Sequence, residues 1–384
     1  MEERFSEVKL YYLLIWIIKM KQVQFGYKSA KQLLKLQDSI ARFRGNRPTK
    51  ILFQVHSARS ESKQLDEVYK AIAELFPTAI CVGSSSNGSV VAGKVSSDDI
   101  AISCTIFERD TTQIEVLQYV VSEESIQGVA EDLVREVNTR PWVKGVGILV
   151  ASWGVSLTNF CNALENLRID VQVFGGMAGS TSDVNPAYVY SGTCGYSENS
   201  AVFVLYGGED FFVETTKIAG WKPLGKNLLV TKAVKNVLCE LEGSPAFEAY
   251  SKYLNIQNDS FFFQNTLEFP LFYYENGEIC LRSPMACSDE GALLLASDIE
   301  TGAVVRIAYG DPQSIMESVR QGTIRVSNFC PEGIQMYSSM ARLSFWGDAD
   351  VGKETEPFQS IAPTFGFYAS GEFMRAQSFV GLYN

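Results

Sequence analysis

From residue 48 onward, apolar and polar positions recur in one order. An apolar run at 51–53 precedes a stretch of helical spacing over 63–75, which Phe76-Pro77 ends because proline cannot continue a helix. A strand over 79–82 then runs into Gly83-Ser84-Ser85-Ser86-Asn87-Gly88, and 99–107 reads as another strand. The same order returns as a strand at 146–151, a helix at about 156–167 and a strand at 171–174. That strand empties into Gly175-Gly176-Met177-Ala178-Gly179-Ser180, and a strand at 200–206 follows. A third, weaker copy has a strand at 303–309, a helix after Asp311-Pro312, a strand at 334–338 and then Phe365-Gly366 through Gly371-Glu372. Such self-similarity predicts an α/β to α+β fold, with mixed sheets, helices packed on them and internally repeated strand–helix–strand units.

Between the copies the texture changes. Residues 225–253 read as a loop followed by a helix, with Pro245 placed to open it. The aromatic-rich stretch 261–279 carries the hairpin signal Asn276-Gly277, and 280–295 continues as strands around Asp289-Glu290-Gly291. Residues 347–363 read as a charged, irregular loop. Three parts follow: an N-terminal extension with a basic amphipathic helix (1–47), an α/β domain (48–219) and an α+β domain (220–384).

The N-terminal part holds the apolar run Leu10 to Ile18, too short for a hydrocarbon core that takes about twenty residues. Acidic neighbours Glu2, Glu3 and Glu7 and the lack of a small-residue cleavage site argue against a secretory signal. The preferred reading is an upstream extension of a chain that starts at Met20, ahead of an interfacial or a packing helix. From 21 to 47 basic residues dominate, and Leu33, Leu34, Leu36 and Ile40 take roughly helical spacing, which predicts a solvated amphipathic helix.

Composition narrows the chemistry. The 384 residues are 46% hydrophobic and carry a formal net charge of −11, which argues against an extended nucleic-acid surface. His56 is the only histidine, so triads and multi-histidine metal sites are improbable. The eight cysteines are dispersed, without a CxxC pair and mostly in apolar runs, which predicts buried thiols and a cytoplasmic location.

A strand emptying into a glycine-bracketed loop lets backbone approach a ligand, and open α/β sheets bind ligands at strand ends. Ser84, Ser85, Ser86, Asn87 and Gly88 supply amide and hydroxyl donors for a carboxylate. Gly175, Gly176, Met177 and Ala178 form the pseudo-equivalent loop. Arg282, Arg306 and Arg342 are candidate fork donors to the same group, and Glu372 or Asp289 would neutralise an amino group. Such a pocket selects a zwitterion.

Several segments resemble the FIST domain family, a bacterial sensory module with N- and C-terminal parts. They are Ile80 to Gly88, Phe174 to Gly179, Gly220-Trp221-Lys222-Pro223-Leu224-Gly225 with Val230 to Ala233, Leu241 to Ala246 with Tyr250, and Phe365 to Phe373. The resemblance makes 48–219 the FIST N-terminal-like part and 220–384 the FIST C-terminal-like part. It implies a non-enzymatic sensor that binds a small ligand, amino acids being the proposed class, and relays to a partner. The Cys-x-x-Arg often seen near the late strand of the C-terminal part is here Ser339-Met340-Ala341-Arg342, which keeps only the arginine. The chain stops at Asn384, about where the module ends, which reads as a free-standing sensor or a sensor fragment.

Catalytic readings fare worse. The loop at 83–88 misses the GxSxG spacing at Asn87, and it lacks the GK[ST] ending of a Walker loop. Ser60-Glu61-Ser62-Lys63 fits SxxK but begins a helix and has no SDN or KTG partner. The expectation is a cytoplasmic ligand-binding sensor with no enzymatic activity, no cofactor and no metal. Expected partners are a small molecule and a signalling output such as a cyclase, kinase or chemoreceptor-type protein, with a homodimer as a further association. Nucleic acid and a stable membrane span are not expected. A protein-interaction scaffold is the main alternative and a hydrolase the weaker one. Ligand is expected to close the cleft between the halves and to move the C-terminal end.

Overall fold

The computed structural model describes residues 20–44, 50–58, 62–96, 98–108, 110–152, 155, 157–179, 186–275, 277–295, 297–376 and 379–383. The apolar run 10–18, Ser60-Glu61 of the SxxK match, Ser180 and Asn276 lie outside the described residues. The first unit runs β1 (Met20–Gly26), α1 (Ala30–Arg44), β2 (Lys50–Ser57), α2 (Ser62–Leu75), β3 (Ile80–Ser85), the hairpin β4 (Ser89–Val91) and β5 (Lys94–Val95), and β6 (Ile100–Phe107). The second repeats this order as β7 (Gln113–Val120), α3 (Ile126–Asn138), β8 (Val143–Ala151), α4 (Thr158–Leu164), β9 (Gln172–Met177), β10 (Val189–Ser191), β11 (Gly195–Ser197) and β12 (Ser200–Gly207).

A block of other texture follows: β13 (Trp221–Val234), β14 (Val237–Leu241), β15 (Ser244–Pro245), α5 (Phe247–Leu254), α6 (Phe262–Thr266), β16 (Leu271–Glu275), β17 (Glu278–Arg282), β18 (Pro284–Cys287), β19 (Leu293–Leu295) and β20 (Val304–Gly310). The last part has α7 (Pro312–Phe329), β21 (Ile334–Ser339), α8 (Met340–Asp350), a 3-10 turn (Val351–Lys353), α9 (Glu356–Gln359), β22 (Thr364–Ala369), β23 (Glu372–Ala376) and β24 (Phe379–Tyr383).

The first sheet has the order β1-β6-β2-β3-β10-β11 and the second β7-β12-β8-β9-β23-β24. The two match strand for strand, with a parallel pair at the centre of each (β2/β3 and β8/β9). A smaller sheet, β21-β22-β4-β5, is built on a third parallel pair, β21/β22. Each unit therefore lends its hairpin to another: β4-β5 to the third, β10-β11 to the first, β23-β24 to the second.

Helices α1 and α2 cover the outer face of the first sheet through Leu33, Leu36, Ile40, Leu65, Val68 and Ile72. Helices α3 and α4 do the same for the second through Ile126, Leu133, Phe160 and Leu164. The inner faces share one core in which Leu52 and Val82 meet Leu149, Val202 and Phe367. Burial on both faces leaves β12 an almost unbroken apolar run, whereas β2 and β6 carry Gln54, His56, Ser103 and Thr105 at buried positions.

Four expectations change. Residues 20–26 form a strand on β6, so the basic segment is a strand followed by a helix. The 225–253 stretch is mostly sheet: Leu228 and Val230 are buried with Leu229 exposed between them, and the turn-like Gly225-Lys226-Asn227 sits where the register with β20 shifts. Residues 347–363 contain the end of α8, a 3-10 turn and α9. In the third copy, β20 belongs to the block sheet against β13, and the parallel unit is β21-α8-α9-β22. Asp311 and Pro312 do open α7, with Asp311 Oδ2 accepting from the Ser314 amide at 2.8 Å. All eight cysteines are free. Among the described residues, no helix is long and apolar enough to cross a membrane.

Candidate ligand cavity

Three glycines occupy one position in the three parallel pairs. Gly83 lies opposite Val55, Gly175 opposite Ile148 and Gly366 opposite Met336. An added Cβ would meet the carbonyl oxygen of each partner, at 2.4 Å for Val55, 2.0 Å for Ile148 and 1.7 Å for Met336. These glycines lie within strands, where close backbone approach requires them; they do not bracket loops.

Four residues further on, the chains meet in a closed cycle. The amide of Asn87 donates to Tyr368 O at 2.9 Å, that of Gly179 to Ser85 O at 3.2 Å, and that of Ser370 to Met177 O at 3.2 Å. Asn87 Nδ2 also donates to Ser370 Oγ at 3.2 Å. The amides of Ser85 and Ser86 donate to Tyr188 O and Ser57 O. The donors expected to face a carboxylate are thus engaged within the chain. Ser84, Ser85, Ser86, Asn87 and Gly88, with Gly175, Gly176, Met177 and Ala178, form this junction and none of them lines the cavity described next.

Ser84 Oγ and His56 Nδ1 share a 2.9 Å hydrogen bond, a nucleophile-and-base spacing. Neither residue has exposed surface, and the imidazole packs on Phe367 at 4.4 Å between centroids. Burial holds the His56 pKa down at about 3, so it is a poor base as well as an inaccessible one.

A cavity of about 670 Å³ lies between the first sheet, β21, α7 and the segment 210–219, which joins the second unit to β13 without regular structure. Strand alternation puts Met20 and Gln22, Leu52 and Gln54, and Thr105 and Phe107 on its wall. Opposite them stand Gln335 and Tyr337 of β21. Gln54 and Gln335 precede the residues facing Gly83 and Gly366, so they are equivalents in two units, and each has a buried Oε1 without a hydrogen-bond partner.

One end of the cavity is charged. Glu372 opens β23, opposite Gly176 on β9. Its carboxyl lines the cavity, and among the described residues no cation reaches salt-bridge distance of it. Burial pushes its pKa up to about 8, offset in part by Arg342 and Lys217. Arg342 is already held: Nη1 donates to Glu354 Oε2 at 2.6 Å, Nη2 to Ile218 O at 2.7 Å, and the guanidinium lies 4.9 Å from the Trp221 ring. Trp346 Nε1 also donates to Glu354. Lys217 Nζ donates to Ile279 O at 2.8 Å. Acidic lining residues (Asp210, Glu214, Glu332, Glu354, Glu372) outnumber basic ones (Lys217, Arg325, Arg342), so the cavity favours cationic groups.

Of the residues singled out from the sequence, Arg342 and Glu372 come together here. Arg282 is buried elsewhere, 3.6 Å from Glu275, and Arg306 donates to Gly225 O at 3.0 Å. Asp289 lies in the turn before β19, away from the cavity. Sequence reasoning missed Gln54, Gln335, Lys217 and Glu354. Alignment of the three copies on Gly83, Gly175 and Gly366 sets Gln54 against Tyr337, because the helical connections differ in length, and only the strand register pairs the two glutamines.

A family model for the FIST N domain matches residues 51–244, and one for the FIST C domain matches residues 246–375. No curated protein matches the chain.

Proposed function

We propose, for a chain that belongs to the FIST family of sensory domains, that the sensory site is the cavity closed by Glu372 and that its ligand presents an ammonium group, as an amino acid does. One observation carries this reading: Glu372 lines a deep, partly open cavity, and among the described residues no cation stands in ion-pairing reach of it. A desolvated acid with no cation beside it holds its proton to higher pH, and an incoming ammonium restores the charged form. Lys217 and Arg342 stand on the same lining but are held by Ile279 O and by Glu354 and Ile218 O, so the ammonium carries the recognition. Glu372 heads β23, which pairs with β9 on one side and β24 on the other, so ligand contact is placed to tighten the C-terminal hairpin. A signalling output such as a cyclase, kinase or chemoreceptor-type protein would read that change, and scattering profiles with and without ligand would register any closure.

Thermal unfolding with amino acids, simple amines and organic acids tests the assignment, because a ligand that binds only the native state raises its stability. Ammonium compounds should stabilise the wild type and not Glu372→Gln. Equal stabilisation of both proteins, or a response to acids alone, would overturn it.

A further inference from the structure

The cavity is larger than an amino acid needs. Even at water's ~30 Å³ per heavy atom, leucine would fill less than half of the roughly 670 Å³. Such a volume belongs to ligands of drug size. Leaving the rest to water would place solvent against rings. Phe107 and Phe211 stand 6.1 Å apart between centroids, Phe211 and Tyr206 6.0 Å, Tyr206 and Phe174 5.8 Å, and Phe174 and Tyr337 6.3 Å. These five side chains form one continuous wall of the cavity. Hydrating it forfeits the transfer free energy that an apolar body of matching length would release.

We infer that the occupant is an apolar-bodied primary amine much larger than a free amino acid, its ammonium against Glu372 and its body along the five-ring wall. The inference rests on the reading of this cavity as the sensory site. It excludes phosphates and polyacids, which would have to sit among a majority of acidic side chains. It also excludes neutral hydrocarbons, which would leave the carboxyl without a cation. The free N-terminus of a short apolar peptide and a long-chain alkylamine share the required chemistry.

Titration calorimetry on the full chain separates the cases. The probes are leucine, trileucine amide with a free N-terminus, its N-acetyl form, and decylamine. Trileucine amide or decylamine should bind at least a hundredfold tighter than leucine, since each added methylene contributes about fourfold. Whichever of the two binds more tightly identifies the source as peptide or alkyl. Acetylation, or Glu372→Gln, should cost tenfold or more. Val326→Trp, on the face of α7 that lines the cavity, should weaken the long probes and spare leucine. Leucine binding as tightly as the long amines, still dependent on Glu372, would overturn the size inference and leave the site standing. Equal binding of the acetylated peptide, or no binding by any probe, would overturn both.

Discussion

The main-chain amide of Asn87 lies 2.9 Å from the carbonyl oxygen of Tyr368, and Tyr368 returns a bond from its own amide to Gly88 O at 2.8 Å. This reciprocal pair ties the first unit to the third at the point where all three parallel pairs end. Backbone bonds of this kind demand that each strand be seated at one depth, and the three buried glycines set that depth.

Gly366→Ala should therefore be severe. Its Cβ would lie 1.7 Å from Met336 O, backbone that cannot step aside. A loss of about 2–4 kcal/mol is expected in urea unfolding, within the range for strained or overpacked sites. Gly128→Ala in α3 is the control: nothing lies within 4 Å of its added Cβ, and a gain of up to about 1 kcal/mol is expected.

Glu372 gives stability a pH signature. With a folded pKa of about 8 against an ordinary 4.5, its contribution is complete below pH 4.5 and declines as pH rises to about 8, because the unfolded chain ionises first. Urea unfolding of wild type and Glu372→Gln across this window should diverge by up to a few kcal/mol, with the glutamine variant the less pH-sensitive. Affinity for ammonium ligands should climb over the upper part of the same window, since binding requires the ionised carboxyl.

His56 acts on the acid side. Its folded pKa of about 3 lies below the ordinary 6.5, so its neutral form supports the fold above pH 6.5 and that support is lost as pH falls toward 3. His56→Gln cannot titrate, and its acid unfolding midpoint should lie at lower pH than that of the wild type. Coincident acid transitions would show that His56 does not drive the change.

Arg375 anchors the last hairpin. Its guanidinium is buried and donates to the carbonyl oxygens of Arg168 at 2.6 Å, Val171 at 3.1 Å, and Leu164 and Leu167 at 3.2 Å each. Arg375→Ala should cost about 3 kcal/mol or more by removing these four bonds, although Leu164 O and Arg168 O keep the amides of Leu167 and Val171. Hydrogen exchange should show the β9/β23 ladder opening first. Arg375→Lys should rescue little, because a single ammonium cannot match the planar fork.

The repeated units were legible because β2, β3, β8 and β9 are apolar runs set off by glycine or proline, and local pattern decides such elements. Their cyclic exchange was not. Nothing local to Val189–Ser191 says that it docks on β3 instead of β9, for that choice rests on packing between distant segments. The N-terminal strand was hidden by its polar Lys21, Gln22 and Gln24, which read as solvated helix although β6 pairs with them and half-buries them. In the candidate site, Arg342 and Glu372 could be named as chemical types. The glycine loops attracted attention for their donors, but their amides close the junction. Gln54 and Gln335 face the cavity only because two sheets bring them there.

The exchange of hairpins also has a meaning for synthesis. The second sheet lacks the partner of β9 until residues 372–383 have left the ribosome, so its edge stays open while most of the chain already exists. Long-range pairings of this sort fold slowly, and open edges invite association with other nascent chains. Interruption of translation shortly before Glu372 would therefore yield a product that lacks the cavity's Glu372 and is prone to aggregate, whereas most of its helices and its first sheet would be in place.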